Sequence, residues 1–274
     1  MSISSAFSIA RSGLSTTEGR ANLVAGNIAN AQTEGYVRRE AAQVSTNGQS
    51  GTVELRIARQ VDERLAGMSR NASAELGRAA ATSEILGSYL ITLGEPGDEV
   101  SPAARLAEFQ AGLDLLANNP SDPAAQNDLL SRTETLVHSI NKAAVELEAS
   151  RGQAGDSLVS SVGEVNAALS DIAELNERLA LAGTDPTGTS GLMDEMNRRL
   201  DALGTQMDFQ GRWEADGTLT LHTTGGTELV HGETAVKLSA NRDTGRIMAG
   251  DVDITPNSPT ARGSDSGRLA GLSG

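Results

Sequence analysis

The sequence predicts a mainly α protein: an elongated helical bundle or coiled-coil rod with an N-terminal heptad helix and a small, late β-hairpin region. Apolar residues recur at steps of three and four through most of residues 1–206, which is the period of a helix face. Aromatic residues are only 2% of the 274 residues, and this suits thin helical packing. Short apolar runs between glycine turns begin after Met207, as in hairpins.

Residues 1–36 form the first predicted segment, with an amphipathic helix from residue 4 to about 30 and Ser4 or Ser5 as its N-cap. The glycines in this helix each cost roughly 1 kcal/mol against alanine. We therefore expect the helix to be disordered in isolated subunits and ordered by packing. Its apolar and small residues follow a heptad seam, which we predict to be an assembly interface: Ile3, Phe7, Ala10, Leu14, Thr17, Ala21, Val24 and Ile28.

The second segment, residues 37–60, is predicted to be a loop followed by a short strand at about 52–58. Within that strand Val53, Leu55 and Ile57 alternate with charged residues, as on a strand with two unlike faces.

A helical rod domain is predicted over residues 61–206. Its first helix ends at Gly94 and Pro96, and later helices begin at Ser101-Pro102 and Asp122-Pro123, where a capping side chain precedes a proline. The helix from Asp122-Pro123 is the longest and reaches about Leu179, and a loop over 183–188 separates it from a last helix.

The β region is predicted over residues 207–254, because Gly217, Gly226 and Gly245 lie in turn sequences between short apolar runs. Residues 255–274 are rich in Pro, Ser and Gly, so we expect an irregular tail.

The charge of the chain limits its partners. The formal net charge is −14, and nucleic acid is excluded as a partner because phosphate binding needs clustered positive charge. Residues 1–60 hold six Arg and four Glu, a balance of +2, so the remainder carries −16. The acidic part suits a solvated surface, and the near-neutral start suits contact with protein. Membrane insertion is not expected either, because no apolar run is long enough to span a bilayer.

No catalytic, cofactor or metal site is predicted. Cysteine is absent, which removes disulfides and thiolate chemistry. The three histidines, His138, His222 and His231, do not lie at metal-ligand spacings, and the paired carboxylates are those of solvated helix faces. We therefore expect a protein that is not an enzyme. The N-terminus also lacks the pattern of a cleaved signal peptide.

A motif follows the heptad helix directly: Asn27, Ala29, Asn30, Thr33, Gly35 and Tyr36. A simple turn explains Asn30 and Gly35 but does not require both asparagines. The motif resembles the N-terminal signature of the bacterial flagellar rod, hook and hook-associated axial proteins. That signature often has Pro before Gly-Tyr, and Glu34 stands there in this chain.

The rest of the chain narrows the resemblance. The long helices, the run from Glu108 to Leu116, the Asn-Pro-Ser-Asp-Pro-Ala-Ala segment at 119–125 and the stretch over 191–203 are similar to the family of hook-associated protein 1. The resemblance implies a structural subunit that is exported through the flagellar type III apparatus, without a cleaved signal peptide, and joins hook to filament in a ring. Its implied partners are copies of itself, the hook protein, the second junction protein and an export chaperone. The implied location is the extracellular flagellum.

Two other hypotheses remain open. The chain could be a rod or hook protein of the same axial family, or a non-flagellar helical adaptor or coiled-coil binder that shares the motif by chance. Members of the resembled family end in a second heptad helix that pairs with the first, so we also expect this chain to be truncated before its C-terminal helices.

Overall fold

The computed structural model describes residues 3–33, 35–45, 53–183, 186–259 and 262–273. Long helices dominate these ranges, and the predicted mainly α fold is confirmed. The helices are α1 (Ile3–Ala29), α2 (Glu63–Leu93), α3 (Pro102–Asn118), α4 (Pro123–Ala182), α5 (Pro186–Gln206) and α6 (Arg268–Leu272). The strands are β1 (Arg39–Ser45), β2 (Val53–Arg59), β3 (Phe209–Trp213), β4 (Leu219–Thr223), β5 (Glu228–His231), β6 (Thr234–Ala235), β7 (Leu238–Ala240), β8 (Ile247–Ala249) and β9 (Val252–Asp253).

The start of α1 differs from the prediction. The helix is already formed at Ile3, so Ser4 and Ser5 lie inside its first turn, and the predicted N-cap is wrong. Serine caps a helix only when its own backbone is extended, and here the helical conformation continues through both residues.

The second segment is a two-stranded antiparallel hairpin, β1 with β2, in which Arg39 lies opposite Arg59. The predicted loop over 37–51 is therefore wrong for Arg39–Ser45, while the predicted strand is confirmed for 53–58. Residues 46–52, which include part of both predictions, lie outside the described residues. The sequence of β1 is rich in alanine and polar residues, so its strand conformation comes from pairing with β2 rather than from local preference.

The helix starts of the rod follow their sequence signals closely. Ser101 accepts a hydrogen bond from the amide of Ala104, and Asp122 accepts one from Ala124, each just before a proline. At the start of α2, Asp62 accepts hydrogen bonds from the amides of Arg64 and Leu65. The long helix α4 continues through its glycines, from Pro123 to Ala182.

The predicted loop over 183–188 is wrong at its end, because α5 already begins at Pro186. Proline is well suited to the first turn of a helix, where its missing N–H would have no intrahelical partner. Residues 184 and 185 lie outside the described residues.

The late β region forms two small antiparallel sheets, one in the order β3-β4-β5-β6 and one in the order β7-β8-β9. Its turns use the predicted glycines, and Gly217, Gly226 and Gly245 all have a positive φ. In the turn before β4, the Thr218 hydroxyl and amide donate to Asp216, and these hydrogen bonds hold the pKa of that carboxyl below its ordinary value.

One apolar core joins the rod, the sheets and the end of the chain. The second half of α4 contributes Leu158, Leu169 and Ile172, and α5 and the sheets contribute Met196 and Leu221. The predicted helical, β and tail segments thus pack together along α4.

The predicted irregular tail is wrong for Arg268–Leu272, which form α6 and bury Leu269 and Leu272. A tertiary contact selects this helix, since the amide of Gly267 donates to the carbonyl of Ala74 in α2, at an N···O distance of 2.9 Å.

Candidate assembly surface and its junction

All eight predicted interface residues lie on one exposed face of α1, here called the α1 seam: Ile3, Phe7, Ala10, Leu14, Thr17, Ala21, Val24 and Ile28. Ile3 is 91% exposed, and Phe7 and Leu14 are each 72% exposed. A row of large apolar side chains left in water on a helix of 27 residues, about 40 Å long, is typical of an association surface.

The opposite face of α1 carries a second heptad repeat, which the sequence analysis did not identify. α1 packs against β1 and β2, and the residues of this second repeat are half-buried or buried: Ser5, Ile9, Ser12, Thr16, Gly19, Leu23, Gly26 and Asn30. The two repeats are offset by two positions, or roughly 200° around the helix. The hairpin therefore contacts α1 on this less exposed side, where Asn27 lies, and leaves the α1 seam exposed.

Asn27 is the centre of the junction between α1 and the hairpin. Its Nδ2 donates to the carbonyl of Arg39 at 2.8 Å, and its Oδ1 accepts from the Arg39 amide at 3.0 Å. The Tyr36 hydroxyl donates to the same Oδ1 at 2.9 Å. The side chain thus pairs with the first residue of β1 much as a neighbouring strand would, and it fixes the end of α1 to the hairpin.

The other motif residues build the turn between these two elements. The Asn30 side chain donates to the Gly26 carbonyl, and the Thr33 hydroxyl donates to Asn30. Gly35 has φ +74°, a conformation that residues with a Cβ rarely adopt. Ala29 is the last residue of α1 and is exposed. The structure therefore brings Asn27, Asn30, Thr33, Gly35 and Tyr36 together, and leaves Ala29 at the edge of the junction.

The junction also contacts the helical body through residues that the sequence analysis missed. A Cβ built on Gly35 would overlap the Arg198 side chain of α5. Arg39, whose guanidinium carbon lies 5.4 Å from the centre of the Tyr36 ring, and Arg59 both form ion pairs with Asp194 of α5. No local pattern indicates these contacts, since Arg39 and Asp194 are 155 positions apart in the chain.

In the part of the chain that the structure describes, no group of three or more His, Asp or Glu side chains is arranged to hold a metal ion. None of the described helices combines the length and apolar character needed to cross a bilayer.

Replacing Asn27 by Ala should lower the free energy of unfolding by about 1–3 kcal/mol, because Arg39 and Tyr36 lose a partner in a partly buried place. Asn30→Ala should cost less, because Asn30 bonds only within its own turn. Asn22→Ala, at an exposed site of the same helix, is the matched control. Chemical denaturation of the three variants checks the order, and equal losses at Asn27 and Asn22 would contradict it.

Known proteins similar to this chain are flagellar. It is 25% identical over 251 residues to flagellar hook-associated protein 1 of Salmonella typhimurium, and the match covers 87% of this chain and 44% of the relative. The protein of the same name from Escherichia coli is 24% identical over 269 residues, covering 92% of this chain and 48% of the relative. The Bacillus subtilis protein is 24% identical over 239 residues, covering 80% and 46%. The chain thus spans about half the length of these relatives.

The fold is similar to a solved structure, that of the flagellar hook junction protein FlgK from Burkholderia pseudomallei. The TM-score is 0.62 at 21% sequence identity, over 76% of this chain and 38% of that one. The family model for the helical domain of the flagellar hook-associated protein FlgK matches residues 92–273, which run from the end of α2 through α6. The chain therefore belongs to the FlgK family of flagellar hook-associated proteins.

Proposed function

We propose that this chain is a structural subunit of the bacterial flagellum, joins hook to filament, and assembles with copies of itself through the α1 seam. The observation that carries the proposal is the exposure of all eight seam residues on one face of α1, while the hairpin contacts the helix on its other side. A helix that is held by its own chain on one side and has an apolar face in water on the other is suited to packing against a neighbouring helix.

Family membership supports the same function. Relatives in three species carry the name flagellar hook-associated protein 1, and the solved relative is titled a flagellar hook junction protein. Because this chain matches less than half the length of each curated relative, the function of the whole protein is a proposal for this chain.

The proposed role requires partners and a location. We place the subunit in the extracellular flagellum, between the hook protein and the second junction protein, after export with a chaperone and without a cleaved signal peptide. It has no catalytic activity in this proposal, since its work is done by packing surfaces. The formal net charge of −14 suits a solvated outer body around a less charged N-terminal module.

Charges placed in the α1 seam test the proposal. With Leu14→Asp and Val24→Asp introduced together at the chromosomal gene, we expect cells that no longer swarm and carry hooks without filaments. A buried, unpaired carboxylate in a helix contact is strongly unfavourable, so two of them should abolish assembly. Swarming on soft agar and electron microscopy of the appendages provide the measurement.

Ser8→Asp with Ser15→Asp is the matched control, because both positions are exposed on α1 but lie outside the seam. The control strain should swarm like wild type, and the purified seam variant should keep its helical circular dichroism. Normal filaments in the seam variant would refute the proposal. Loss of the hooks as well would favour a rod or hook protein, and normal flagella in a strain lacking the gene would favour an adaptor.

A further inference from the structure

We propose that Asp194 is a positioning residue, whose carboxylate holds Arg39 and Arg59 together and thereby sets the angle at which α1 and its hairpin leave the helical body. Asp194 lies on α5, two positions before the core residue Met196, and is itself buried. Arg39 begins β1 and Arg59 ends β2. The contact therefore joins the N-terminal module, made of α1, β1 and β2, to the body.

The geometry of this contact divides the carboxylate between the two arginines. Arg39 Nη2 lies 2.9 Å from Asp194 Oδ2, and Arg59 donates from Nη2 and Nε to Oδ1 at 2.8 and 3.2 Å. The Asp194 side chain is 6% exposed, against 13% for Arg59 and 27% for Arg39. Ion pairs this well shielded are weakened little by salt, and paired donors on a planar guanidinium fix direction as well as distance.

The hairpin needs the Asp194 carboxylate because two arginines face each other across its strands. Arg39 and Arg59 are direct cross-strand partners, so their guanidinium groups lie on the same side of the ribbon. Like charges directly opposite each other destabilise a strand pair unless an anion neutralises them. Asp194 supplies that anion from a different element, so the same bond that relieves the repulsion also docks the hairpin on α5.

Packing elsewhere between the hairpin and the body is incomplete. A cleft of about 450 Å³ separates Ile57 of β2 from Leu179 of α4 and Met193 of α5. Across this gap the hairpin makes little apolar contact with α4 and α5, so apolar packing fixes the angle of the hairpin only weakly there. The ion pairs of Asp194 beside the cleft then contribute more than apolar packing to holding the hairpin at its angle.

The contact is continuous with the end of α1. Arg39 binds Asp194 through its side chain and Asn27 through its backbone, and Asn27 is the last-turn residue of α1. A shift of Arg39 relative to α5 therefore moves α1 with it. The angle between α1 and the body follows from these contacts alone. That this angle orients the α1 seam for assembly rests on the proposed function.

Distances between spin labels on the full chain test the inference directly. The chain has no cysteine, so Asn22→Cys on α1 and Glu177→Cys on α4, both at exposed positions, can be labelled without background. In the structure of the single chain α1 is helical and bonded to the hairpin, so pulsed electron spin resonance should give a narrow distance distribution in the parent chain. Asp194→Asn keeps the shape and removes the charge, and it should broaden that distribution roughly twofold or more, as expected of a freed hinge.

Two controls separate positioning from general destabilisation. A second label pair within the body, Glu75→Cys with Glu177→Cys, should stay narrow when Asp194→Asn is added, and Asp194→Glu should restore a narrow α1 distribution. Asp171→Asn breaks an exposed ion pair between α4 and α5 and should change neither distribution.

A narrow α1 distribution in Asp194→Asn, or equal broadening of the body pair, would overturn the inference. Swarming is not part of this readout, so the inference and the proposed function can fail separately.

Discussion

Replacing Asn176 by Leu should lower the free energy of unfolding by about 3–4 kcal/mol, one of the largest effects of any single substitution in this chain. Asn176 lies on α4 and is fully buried. Its Nδ2 donates to the carbonyls of Leu219 and Gly232, both at 2.8 Å, and its Oδ1 accepts from the Leu219 amide at 2.8 Å. Leucine would leave the buried amide and carbonyl of Leu219, and the part-buried carbonyl of Gly232, without this partner.

The reason lies in the sheet that Asn176 completes. β4 pairs with β5 only from Leu221 onward, so the outward backbone groups of Leu219 have no strand neighbour on that side. The side-chain amide of Asn176 has the same donor and acceptor as a peptide group and takes the place of that neighbour. Asn166, ten positions earlier on α4, does the same for the backbone of Leu238.

A graded set of variants checks this prediction by urea denaturation. Asn166→Leu should cost about 1–2 kcal/mol, because its site is only partly buried, and the exposed Asn141→Ala should stay within about 0.5 kcal/mol of the parent. A loss at Asn176 no larger than that at Asn141 would contradict the proposed role.

Asn176→Asp adds a test with a defined pH dependence. Burial raises the pKa of a carboxyl in the folded state above its unfolded value, and only the protonated form can donate to a carbonyl. The stability of this variant relative to the parent should therefore be highest at low pH and fall as the pH rises through the folded pKa. Parallel denaturation of both proteins at about pH 4 and pH 7 measures the difference. A deficit that does not change with pH would argue against donation to the two carbonyls.

The long helices were predictable because their signals are local. Asp122 and Pro123 mark the start of α4 within two residues, and its apolar period then continues for many turns. Spacing alone also places the eight residues of the α1 seam on one helix face, and the structure shows them exposed, while their role as an interface stays a prediction. Where a pattern is long and periodic, neighbouring residues already contain the information.

The elements that were missed depend on distant partners. β1 has little strand preference of its own and is held by β2, while α6 is a short helix that packs on α2. Helices of five residues are unstable in isolation, so nothing local distinguishes α6 from an irregular tail.

The junction was half predictable for the same reason. The motif from Asn27 to Tyr36 is contiguous and could be identified from the sequence, but the contacts that its residues make could not. Asn27 bonds forward to Arg39, and Arg39 bonds to Asp194 on a helix far along the chain. The second heptad of α1 was overlooked because it is built from Ser, Thr and Gly as well as Ile9 and Leu23, so hydrophobicity alone does not mark it.

Close approach of backbones is the other feature that residue spacing cannot reveal. Gly77→Ala should therefore lower the free energy of unfolding by about 2–3 kcal/mol. A Cβ built on Gly77 in α2 would overlap the carbonyl oxygen of Thr205 at the end of α5, and would lie 3.3 Å from the amide nitrogen of Arg268 in α6. Both neighbours are backbone atoms, so whole helices must move to admit the methyl group. Three helices meet at this glycine, and their separation would open the core near Leu203 and Leu269.

Gly87→Ala is the matched control, because it changes the same residue type in the same helix, and no described atom lies within 4 Å of its added Cβ. There the lower backbone entropy of alanine in the unfolded chain should raise stability by about 0.5–1 kcal/mol. The two variants are thus expected to differ in sign, and differential scanning calorimetry should give a lower Tm for Gly77→Ala and a higher one for Gly87→Ala. A higher Tm for both would mean that α2, α5 and α6 are packed loosely enough to admit a methyl group, and the close three-helix contact would then be wrong.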